Sequence, residues 1–349
     1  MYDYLIVTHL PAFYKVNLYN EISKKLKIFV VFIANETLEK RSSDFSNIND
    51  ANFENLVLNN ESFQNRNKLA SLYNLYKIVS RLKYRKVIVS GWDLPEFWLV
   101  AFCSPNVSNC LALESTIIES DISGVKGLTK KLFLSKVTTV FASGNLHTKL
   151  LEALNYKGKT IITRGVGIIN KPSYATVEKS YQKRFLYIGR LSKEKNTEEL
   201  IKVFNGLPNH KLNVVGDGIE KKNLELIAKD NIAFHGSVAN SEIKNLFKEN
   251  DLLILPSLSE PWGLVVEEAL YFGLPVIVTK NCGSSELVVD KVTGFIVDVS
   301  LKDLDKVISS ISEYSYIEMC KNINTFSIKE KDIDQVNVYF LGDDGDNAI

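Results

Sequence analysis

Residues 251–269, DLLILPSLSEPWGLVVEEA, contain the pattern that decides the fold class. A short apolar run, Leu252–Leu255, leads into a turn, and apolar residues then recur at helical spacing from Leu264. The pattern predicts a buried strand, a loop and a helix in that order, which is the repeating unit of α/β proteins. The free N–H groups and positive dipole end of such a helix favour an anionic ligand at the edge of the sheet.

Two glutamates accompany this helix start. Glu260 precedes the helix and Glu268 lies about one turn inside it, so the two carboxylates can bind hydroxyl groups from two parts of one ligand. Gly263 allows close approach of the backbone. Acidic residues near a helix N-terminus also simply offset its dipole, so these residues alone leave both interpretations open.

Two further loops follow predicted strands. Residues 189–196, GRLSKEKN, contain two cations after a predicted strand. Arg190 offers a planar guanidinium with several donors and Lys195 a compact positive charge, and both can neutralise a diphosphate. Residues 214–218, VVGDG, end a strand in a turn at Gly216, a candidate nucleotide contact, although the third glycine of a dinucleotide fingerprint is missing. Each loop alone is also typical of a solvated turn, so only their combination is informative.

Alternation of strands and helices extends over most of the chain. It predicts two mostly parallel sheets covered by helices, and hence two Rossmann-like domains that face a central cleft. The predicted strands of the first half are Tyr4–Val7, Ile28–Ile33, Lys86–Val89, Asn109–Leu113, Thr138–Ala142 and Thr160–Thr163. Those of the second half are Phe185–Ile188, Leu212–Val215, Ile232–Phe234, Leu252–Leu255, Val276–Val278 and Phe295–Val297. The alternation breaks at residues 165–173, so we predict domains over 1–167 and 168–325, and a C-terminal segment over 326–349 that ends in a mobile tail.

Composition excludes several classes of protein. The net charge of the 349 residues is only +1, and no aromatic-basic RNA motif is present, which argues against nucleic-acid binding. Apolar runs are shorter than the roughly 20 residues of a membrane span, and no leader precedes the first strand, so a cytoplasmic protein is expected. Four cysteines without a CxxC pair, and no Asp-x-Asp motif in a donor loop, predict no metal site.

The ordered set of motifs resembles the C-terminal donor domain of the retaining GT-B glycosyltransferases of family 4, the glycosyl transferases group 1. The motifs are GRL at 189–191 with Lys195, GDG at 216–218, FHG at 234–236, Pro256-Ser257, the pair Glu260 and Glu268, GLPV at 273–276 and GF at 294–295. Their order and approximate spacing match that family over about residues 184–300. Over residues 1–165 the resemblance concerns architecture more than motif.

The resemblance implies a nucleoside diphosphate sugar as donor substrate, no cofactor, and retention of anomeric configuration by front-side attack. It implies that Arg190 and Lys195 hold the diphosphate, that Glu268 holds the ribose hydroxyls and that Glu260 holds hydroxyls of the transferred sugar. It further implies that the amides of Gly263, Leu264 and Val265 complete the phosphate site and that the segment His235–Val238 frames the base. The two cations then supply the positive charge without a metal.

The first half departs from that family at two loops. Residues 9–15 follow the first strand without the glycine pair that many members have. Glu114 stands where many members carry a histidine that meets the donor sugar, so we predict that Glu114 contacts sugar or acceptor. A structural role at a helix start stays open. Trp92 and Asp93 are weaker candidates for the acceptor site.

On this resemblance we expect a hexosyltransferase that moves a sugar onto a glycan or polyprenyl-diphosphate-linked acceptor. The expected setting is assembly of a bacterial surface polysaccharide, such as lipopolysaccharide O-antigen or capsule. The alternatives are a nucleotide-sugar epimerase, a phosphorylase, or a non-catalytic nucleotide-binding scaffold on the same fold. A phosphorylase needs a phosphate site or a pyridoxal lysine, neither of which we locate. The presence of both glutamates with both cations argues against a scaffold.

Basic residues are concentrated in the first half of the chain. Residues 1–168 hold 21 Lys and Arg against 14 Asp and Glu, whereas the remainder holds 21 against 27. Residues 62–92 carry seven basic and no acidic side chains, and residues 127–136 carry three lysines beside apolar residues at near-helical spacing. Each helix alone is typical of a core-packed helix with a basic outer face. Their occurrence together on the acceptor domain predicts peripheral contact with an anionic membrane.

Overall fold

The computed structural model of the chain describes residues 1–38, 45–46, 48–174, 180–323 and 326–341. Contacts divide these residues into two compact units. The first comprises the described residues up to 170 together with 330–341, and the second comprises those between 171 and 329. Among the described helices, none is both long and apolar enough to cross a membrane.

The first unit is built on a parallel sheet in the order β3-β2-β1-β4-β5-β6-β7. Its strands are β1 (Tyr2–Thr8), β2 (Ile28–Glu36), β3 (Glu54–Ser62), β4 (Tyr84–Val89), β5 (Asn109–Leu113), β6 (Thr139–Ala142) and β7 (Lys159–Ile162). The helices that alternate with them are α1 (Phe13–Ser23), α2 (Lys68–Arg81), α3 (Pro95–Cys103), α4 (Gly124–Leu134) and α5 (Asn145–Ala153). β1 leads to β2 on one side and lies against β4 on the other, so the chain changes direction across the sheet between β1 and β4.

The second unit repeats this architecture, with a parallel sheet in the order β10-β9-β8-β11-β12-β13. Its strands are β8 (Arg184–Ile188), β9 (Lys211–Val215), β10 (Ile232–Gly236), β11 (Leu252–Leu255), β12 (Val276–Thr279) and β13 (Gly294–Val297). Its helices are α6 (Thr197–Asn205), α7 (Lys221–Ile227), α8 (Asn240–Glu249), α9 (Leu264–Tyr271), α10 (Leu304–Ser310) and α11 (Glu313–Ile323). All six strands predicted for the second half are present, and the predicted α/β class is confirmed.

Side chains that alternate along the strands of the first unit enter two separate cores. Leu5 and Val7 of β1 pack in the core beneath α2, α3, α4 and α5. Tyr4 and Ile6 face the opposite way and pack with α1. This period-2 alternation places α2, α3, α4 and α5 together on one face of the sheet.

The last described helix, α12 (Ile328–Leu341), belongs largely to the first unit. The buried ring of Tyr339 stacks on Phe141 at a centroid distance of 4.6 Å. The backbone carbonyl of Tyr339 accepts a 2.8 Å hydrogen bond from the Tyr4 hydroxyl. The sequence predicts a polar, poorly periodic segment over 326–349 that ends in a mobile tail, and the structure forms a helix over 328–341 of that segment. A few apolar residues anchor this helix, too few to produce a clear period. Residues 342–349, where the rest of the predicted tail falls, lie outside the described residues.

One strand is missing from the sequence prediction. β3, with the sequence ENLVLNNES, carries polar residues along most of its length and leaves several of them exposed. It lies at the edge of the first sheet and pairs only with β2 among the described strands. Because an edge strand is not buried on both faces, it lacks the continuous apolar run that identifies the inner strands.

Candidate active site

The predicted donor-binding loops gather at the centre of the second sheet. Loop 189–196 follows β8 and loop 256–263 follows β11. β8 and β11 are parallel neighbours, with Leu186 opposite Leu253, and the strand order reverses between them. Ligands of open α/β sheets bind outside the carboxyl ends of the strands at such a switch point.

Lys195 and Glu260 meet across these two loops. The Lys195 Nζ lies 2.5 Å from the Glu260 Oε2, and the two side chains keep only 11% and 15% of their exposure. Lys195 ends a single 3₁₀ turn, and Asn196 follows with φ of +56°. The Asn196 amide donates to the Pro256 carbonyl at 3.2 Å and so ties the lysine loop to the glutamate loop. The structure thus brings together the cation predicted for a diphosphate and the carboxylate predicted for a sugar.

Arg190 lies at the end of β8 with an exposed side chain. Its carbonyl accepts a 2.8 Å hydrogen bond from the hydroxyl of the fully buried Tyr187, which fixes the backbone under the arginine. Arg190 and Lys195 both belong to loop 189–196. The arrangement supplies two cations to one loop.

Two glycines after β9 allow this loop to pack closely against the loop after β8. Gly216 has φ of +141°, and a Cβ there would lie 1.8 Å from the Gly189 carbonyl oxygen. A Cβ on Gly218 would lie 2.2 Å from the Leu191 carbonyl oxygen. Side chains at these positions would separate the β9 loop from the loop that carries Arg190. The structure therefore gives both glycines a packing role, and contact of Gly216 with a nucleotide stays a prediction.

Packing and hydrogen bonds with neighbouring residues fix the loop before α9. Gly263, the residue before the helix, has φ of +92°, and a Cβ there would lie 2.9 Å from Leu255 and 3.0 Å from the sulfur of Cys282. Ser284 donates a 3.1 Å hydrogen bond to the Gly263 carbonyl. The buried indole of Trp262 donates to Glu267 at 2.5 Å. These contacts fix the start of α9, where the first N–H groups have no intrahelical acceptors.

Glu268 lies on α9, one residue beyond the buried Glu267. Burial of its carboxyl group, with the negative charge of Glu267 as a second cause, raises the pKa of Glu268 to about 8. Among the described residues, no side chain forms a hydrogen bond or ion pair with this carboxyl group. A partly buried acid without a protein partner, on the helix predicted to bind nucleotide, suits hydroxyl groups of a ligand.

The segment predicted to frame the base, His235–Val238, begins at the end of β10 and continues into the next loop, two strands away from β8. His235 pairs through Nε2 with the Asn213 Oδ1 at 2.8 Å, which accounts for the histidine structurally. Val238 is half-buried on the loop after β10. A cavity of about 160 Å³ also opens beside the lysine loop, and its charged lining consists of one cation, Lys193, and three carboxylates, those of Glu198, Glu199 and Glu220. Because these carboxylates repel a diphosphate, that cavity does not suit the donor.

Glu114 follows β5 in the first unit and forms an ion pair with Lys15 of α1. The Lys15 side chain is buried, whereas that of Glu114 keeps a third of its exposure. Burial opposes the charge on Lys15, but the carboxylate beside it holds the pKa of Lys15 above its ordinary value. The sequence prediction missed Lys15. A lysine among the apolar residues of an otherwise inward-facing helix is the signal that would have found it.

Each unit holds one Rossmann-like parallel sheet, and GT-B proteins consist of two such domains. The crystal structure of Anabaena Alr3699/HepE in complex with UDP and glucose superposes with a TM-score of 0.72 at 16% identity, covering 98% of this chain and 100% of that one. The lipopolysaccharide outer core galactosyltransferase WaaB superposes with a TM-score of 0.67 at 13% identity, covering 97% and 99%. These likenesses establish the fold as GT-B, as predicted.

The sequence of the second unit matches a known protein family. Residues 173–330 match the model of the family described as Glycosyl transferases group 1. The predicted resemblance to this family is confirmed over these residues. An uncharacterized 41.2 kDa protein from the cps region of Klebsiella pneumoniae is 30% identical over 162 residues, which cover 44% of this chain and 44% of that protein. The match therefore spans less than half of that relative's length.

Proposed function

We propose that this chain transfers a sugar from a nucleoside diphosphate sugar to a hydroxyl group of a glycan or lipid-linked acceptor. The contact between Lys195 and Glu260 carries the proposal. It joins a cation suited to a departing diphosphate and a carboxylate suited to sugar hydroxyls at the switch point of the second sheet. Glu268 on the following helix is the group proposed to bind the ribose.

The proposed reaction retains the anomeric configuration. The acceptor oxygen bonds to the anomeric carbon from the side on which the carbon–oxygen bond to the diphosphate breaks. The bonding electrons leave with the diphosphate, and the acceptor proton passes to a diphosphate oxygen. Arg190 and Lys195 stabilise the negative charge as it grows, which removes the need for a metal ion. Glu260 exchanges its contact with Lys195 for hydroxyls of the bound sugar.

The proposed setting is synthesis of a surface polysaccharide. Two similar proteins support it: one is encoded in a cps region and the other is a lipopolysaccharide outer core galactosyltransferase. UDP sugars are the first donors to test, because the HepE structure contains UDP and glucose.

Hydrolysis and transfer measured with UDP, GDP, dTDP and CMP sugars test the activity. We expect turnover of one donor class, undiminished by EDTA, and a product with the anomeric configuration of the donor. Conversion of the donor sugar into its epimer would favour an epimerase, and no turnover of any donor would favour a scaffold. An inverted product would contradict the retaining mechanism.

Glu114→Gln is expected to lower transfer by about tenfold or more and to leave nucleotide affinity unchanged, because the substitution weakens a charge-assisted hydrogen bond to sugar or acceptor. Nucleotide titration and transfer rates, measured on the same preparation, check this. Glu54→Gln, on the edge strand of the same unit, is the control. An unchanged transfer rate would assign Glu114 a structural role with Lys15.

We further propose that the first unit contacts an anionic membrane through a surface formed by α2 and α4, here called the α2–α4 surface. Both helices pack on the same face of the sheet and turn apolar side chains outward. The exposed apolar residues are Leu69 (79%), Tyr73 (59%) and Tyr76 (50%) on α2, and Val125 (76%), Leu128 (66%) and Leu132 (51%) on α4. Lysines lie among them, and the Lys77 Nζ stands 4.0 Å over the Tyr73 ring. Exposed apolar rows beside basic residues are typical of helices that lie in a membrane interface.

Lys130→Glu combined with Lys131→Glu is expected to lower binding to phosphatidylserine vesicles. Because each basic residue near such a surface contributes about 1 kcal/mol and each new glutamate is repelled, the loss is at least about 2 kcal/mol, or roughly 30-fold. Sedimentation with vesicles at low and high salt measures it, since salt screens the attraction. Lys222→Glu with Lys248→Glu makes the same charge change on the second unit and should bind like the wild type. A wild-type protein that stays in the supernatant at low salt refutes the membrane contact.

A further inference from the structure

A histidine and an aspartate lie side by side at the centre of the first sheet. His9 directly follows β1, and Asp93 lies shortly after the end of β4. These strands are neighbours, with Val7 opposite Val89, and the strand order reverses between them. The pair therefore stands at the switch point of the first sheet, where an open α/β sheet binds its ligand.

The ring of His9 is held in a fixed orientation. Its Nε2 lies 3.0 Å from the Asp93 Oδ2. The edge of the ring packs against Phe97 at a centroid distance of 4.9 Å, and Phe63 lies 5.8 Å away on a tilted plane. The side chain nevertheless keeps 34% of its exposure, so a ligand can reach it.

The backbone makes room for this pair at Gly91. The residue has φ of +151°, and a Cβ there would lie 2.6 Å from the Asp93 Oδ1 and 3.7 Å from the His9 ring. A side chain at position 91 would displace the carboxylate from the histidine. The contact between His9 and Asp93 therefore depends on a glycine at position 91.

Asp93 determines which nitrogen of His9 carries the proton. Partial burial opposes its charge, but the hydrogen bond from His9, the charge of a protonated His9 ring and, more weakly, the positive charge of Arg66 hold the pKa of Asp93 below its ordinary value. An ionised carboxylate only accepts hydrogen bonds, so the Nε2 that faces it carries a proton. In the neutral ring Nδ1 is therefore the acceptor nitrogen, and among the described residues no group donates a hydrogen bond to it.

The charge around this site suits hydroxyl groups better than a phosphate. The carboxylates of Asp93 and Glu114 follow two neighbouring strands, β4 and β5. Two basic residues of this unit are engaged by other acids, Lys15 by Glu114 and the buried Arg66 by Glu96 at 2.8 Å. Carboxylates repel a diphosphate, and both carboxylates and the lone pair of a neutral imidazole accept hydrogen bonds from hydroxyls.

We infer that His9 and Asp93 form a binding site for the hydroxyl groups of a sugar acceptor. Nδ1 of His9 accepts the hydrogen bond of one hydroxyl, and the exposed oxygen of Asp93 accepts that of a neighbouring one. The inference rests on the proposed function, because only a transferase needs an acceptor site in addition to the donor site of the second unit. The sequence analysis did not identify His9 as a site residue, and it gave Asp93 only as a weaker candidate for the acceptor site.

Imidazole NMR of the protein tests the site without relying on activity. The His9 resonances, assigned with His9→Gln, should show a proton on Nε2, and Asp93→Asn should remove this preference for Nε2. Methyl glycosides of glucose, galactose, mannose, rhamnose and N-acetylglucosamine serve as probes. At least one of them should shift the His9 resonances of the wild type and fail to do so in Asp93→Asn.

Transfer kinetics and nucleotide binding complete the test. His9→Gln should raise the KM for the acceptor by about tenfold or more, with the Kd for nucleotide unchanged. Glu21→Gln, an exposed residue of α1, is the matched control and should behave as the wild type. Nucleotide binding together with unmoved His9 resonances overturns the acceptor site alone. Absence of nucleotide binding overturns the proposed function, on which this inference depends.

Discussion

Lys195→Met is expected to lower sugar transfer by about 10²–10³-fold at saturating donor. The ammonium group acts on charge that develops on the diphosphate as the sugar leaves, and loss of one such contact costs roughly 2.7–4 kcal/mol of transition-state stabilisation. Methionine keeps most of the side-chain volume and removes only the charge. Lys193→Met, two residues earlier in the same turn and exposed, is the control and should remain active.

The same substitution is also expected to destabilise the second unit. It leaves the Glu260 carboxylate, whose side chain keeps only 15% of its exposure, without its cation. Removal of one partner of a buried ion pair costs about 3–5 kcal/mol, and the remaining exposure places our expectation at the low end. Urea unfolding with fluorescence detection measures this free energy.

The double variant Lys195→Met with Glu260→Gln separates the two effects. Because neither charge remains, most of the lost unfolding free energy should return, whereas transfer should stay at the level of the single variant or below. Recovery of transfer together with stability would mean that Lys195 serves folding alone. Near-normal transfer in a stable single variant would contradict the assignment of the donor site.

The local sequence pattern was sufficient to predict every strand of the second unit, but it missed one strand of the first unit. The strands around the donor site are apolar on both faces, as in Leu252–Leu255, and glycines such as Gly263 mark the sharp loop before a helix. β3 escaped prediction because it is a polar edge strand. α12 escaped because Tyr339 anchors it to strands that are distant in sequence.

The contacts within the candidate sites could not be predicted from the sequence. Lys195 and Glu260 are far apart in the chain and meet only because β8 lies beside β11 in the sheet. Glu114 and Lys15 are likewise far apart in the chain, and only the fold of the first unit brings them together. Sequence motifs identified the kinds of group present, but strand order determines which of them touch, and no local pattern encodes strand order.

Glu268→Gln is expected to weaken nucleotide binding by about 10–100-fold above pH 8, because it removes charge-assisted hydrogen bonds to the ribose hydroxyls. Glu260→Gln should leave the affinity for free nucleotide largely intact, since Glu260 is assigned to the sugar. Isothermal titration with UDP, or with whichever nucleotide stabilises the protein, compares the two variants. Equal losses would contradict the separate roles of the two glutamates.

The pH dependence of the wild type tests the same group independently. Since burial raises the pKa of Glu268 to about 8, its ionised fraction rises from about 0.1 near pH 7 to about 0.9 near pH 9, and nucleotide affinity should rise roughly tenfold. Stability should change in the opposite direction. A carboxyl group whose pKa is higher in the folded than in the unfolded chain contributes stability below its unfolded pKa, and this contribution is lost as the pH rises through 8. Urea unfolding between about pH 5 and about pH 9 should therefore show the wild type losing stability relative to Glu268→Gln. Parallel stability curves and a flat affinity would show that the Glu268 carboxyl group is ionised throughout and has an ordinary pKa.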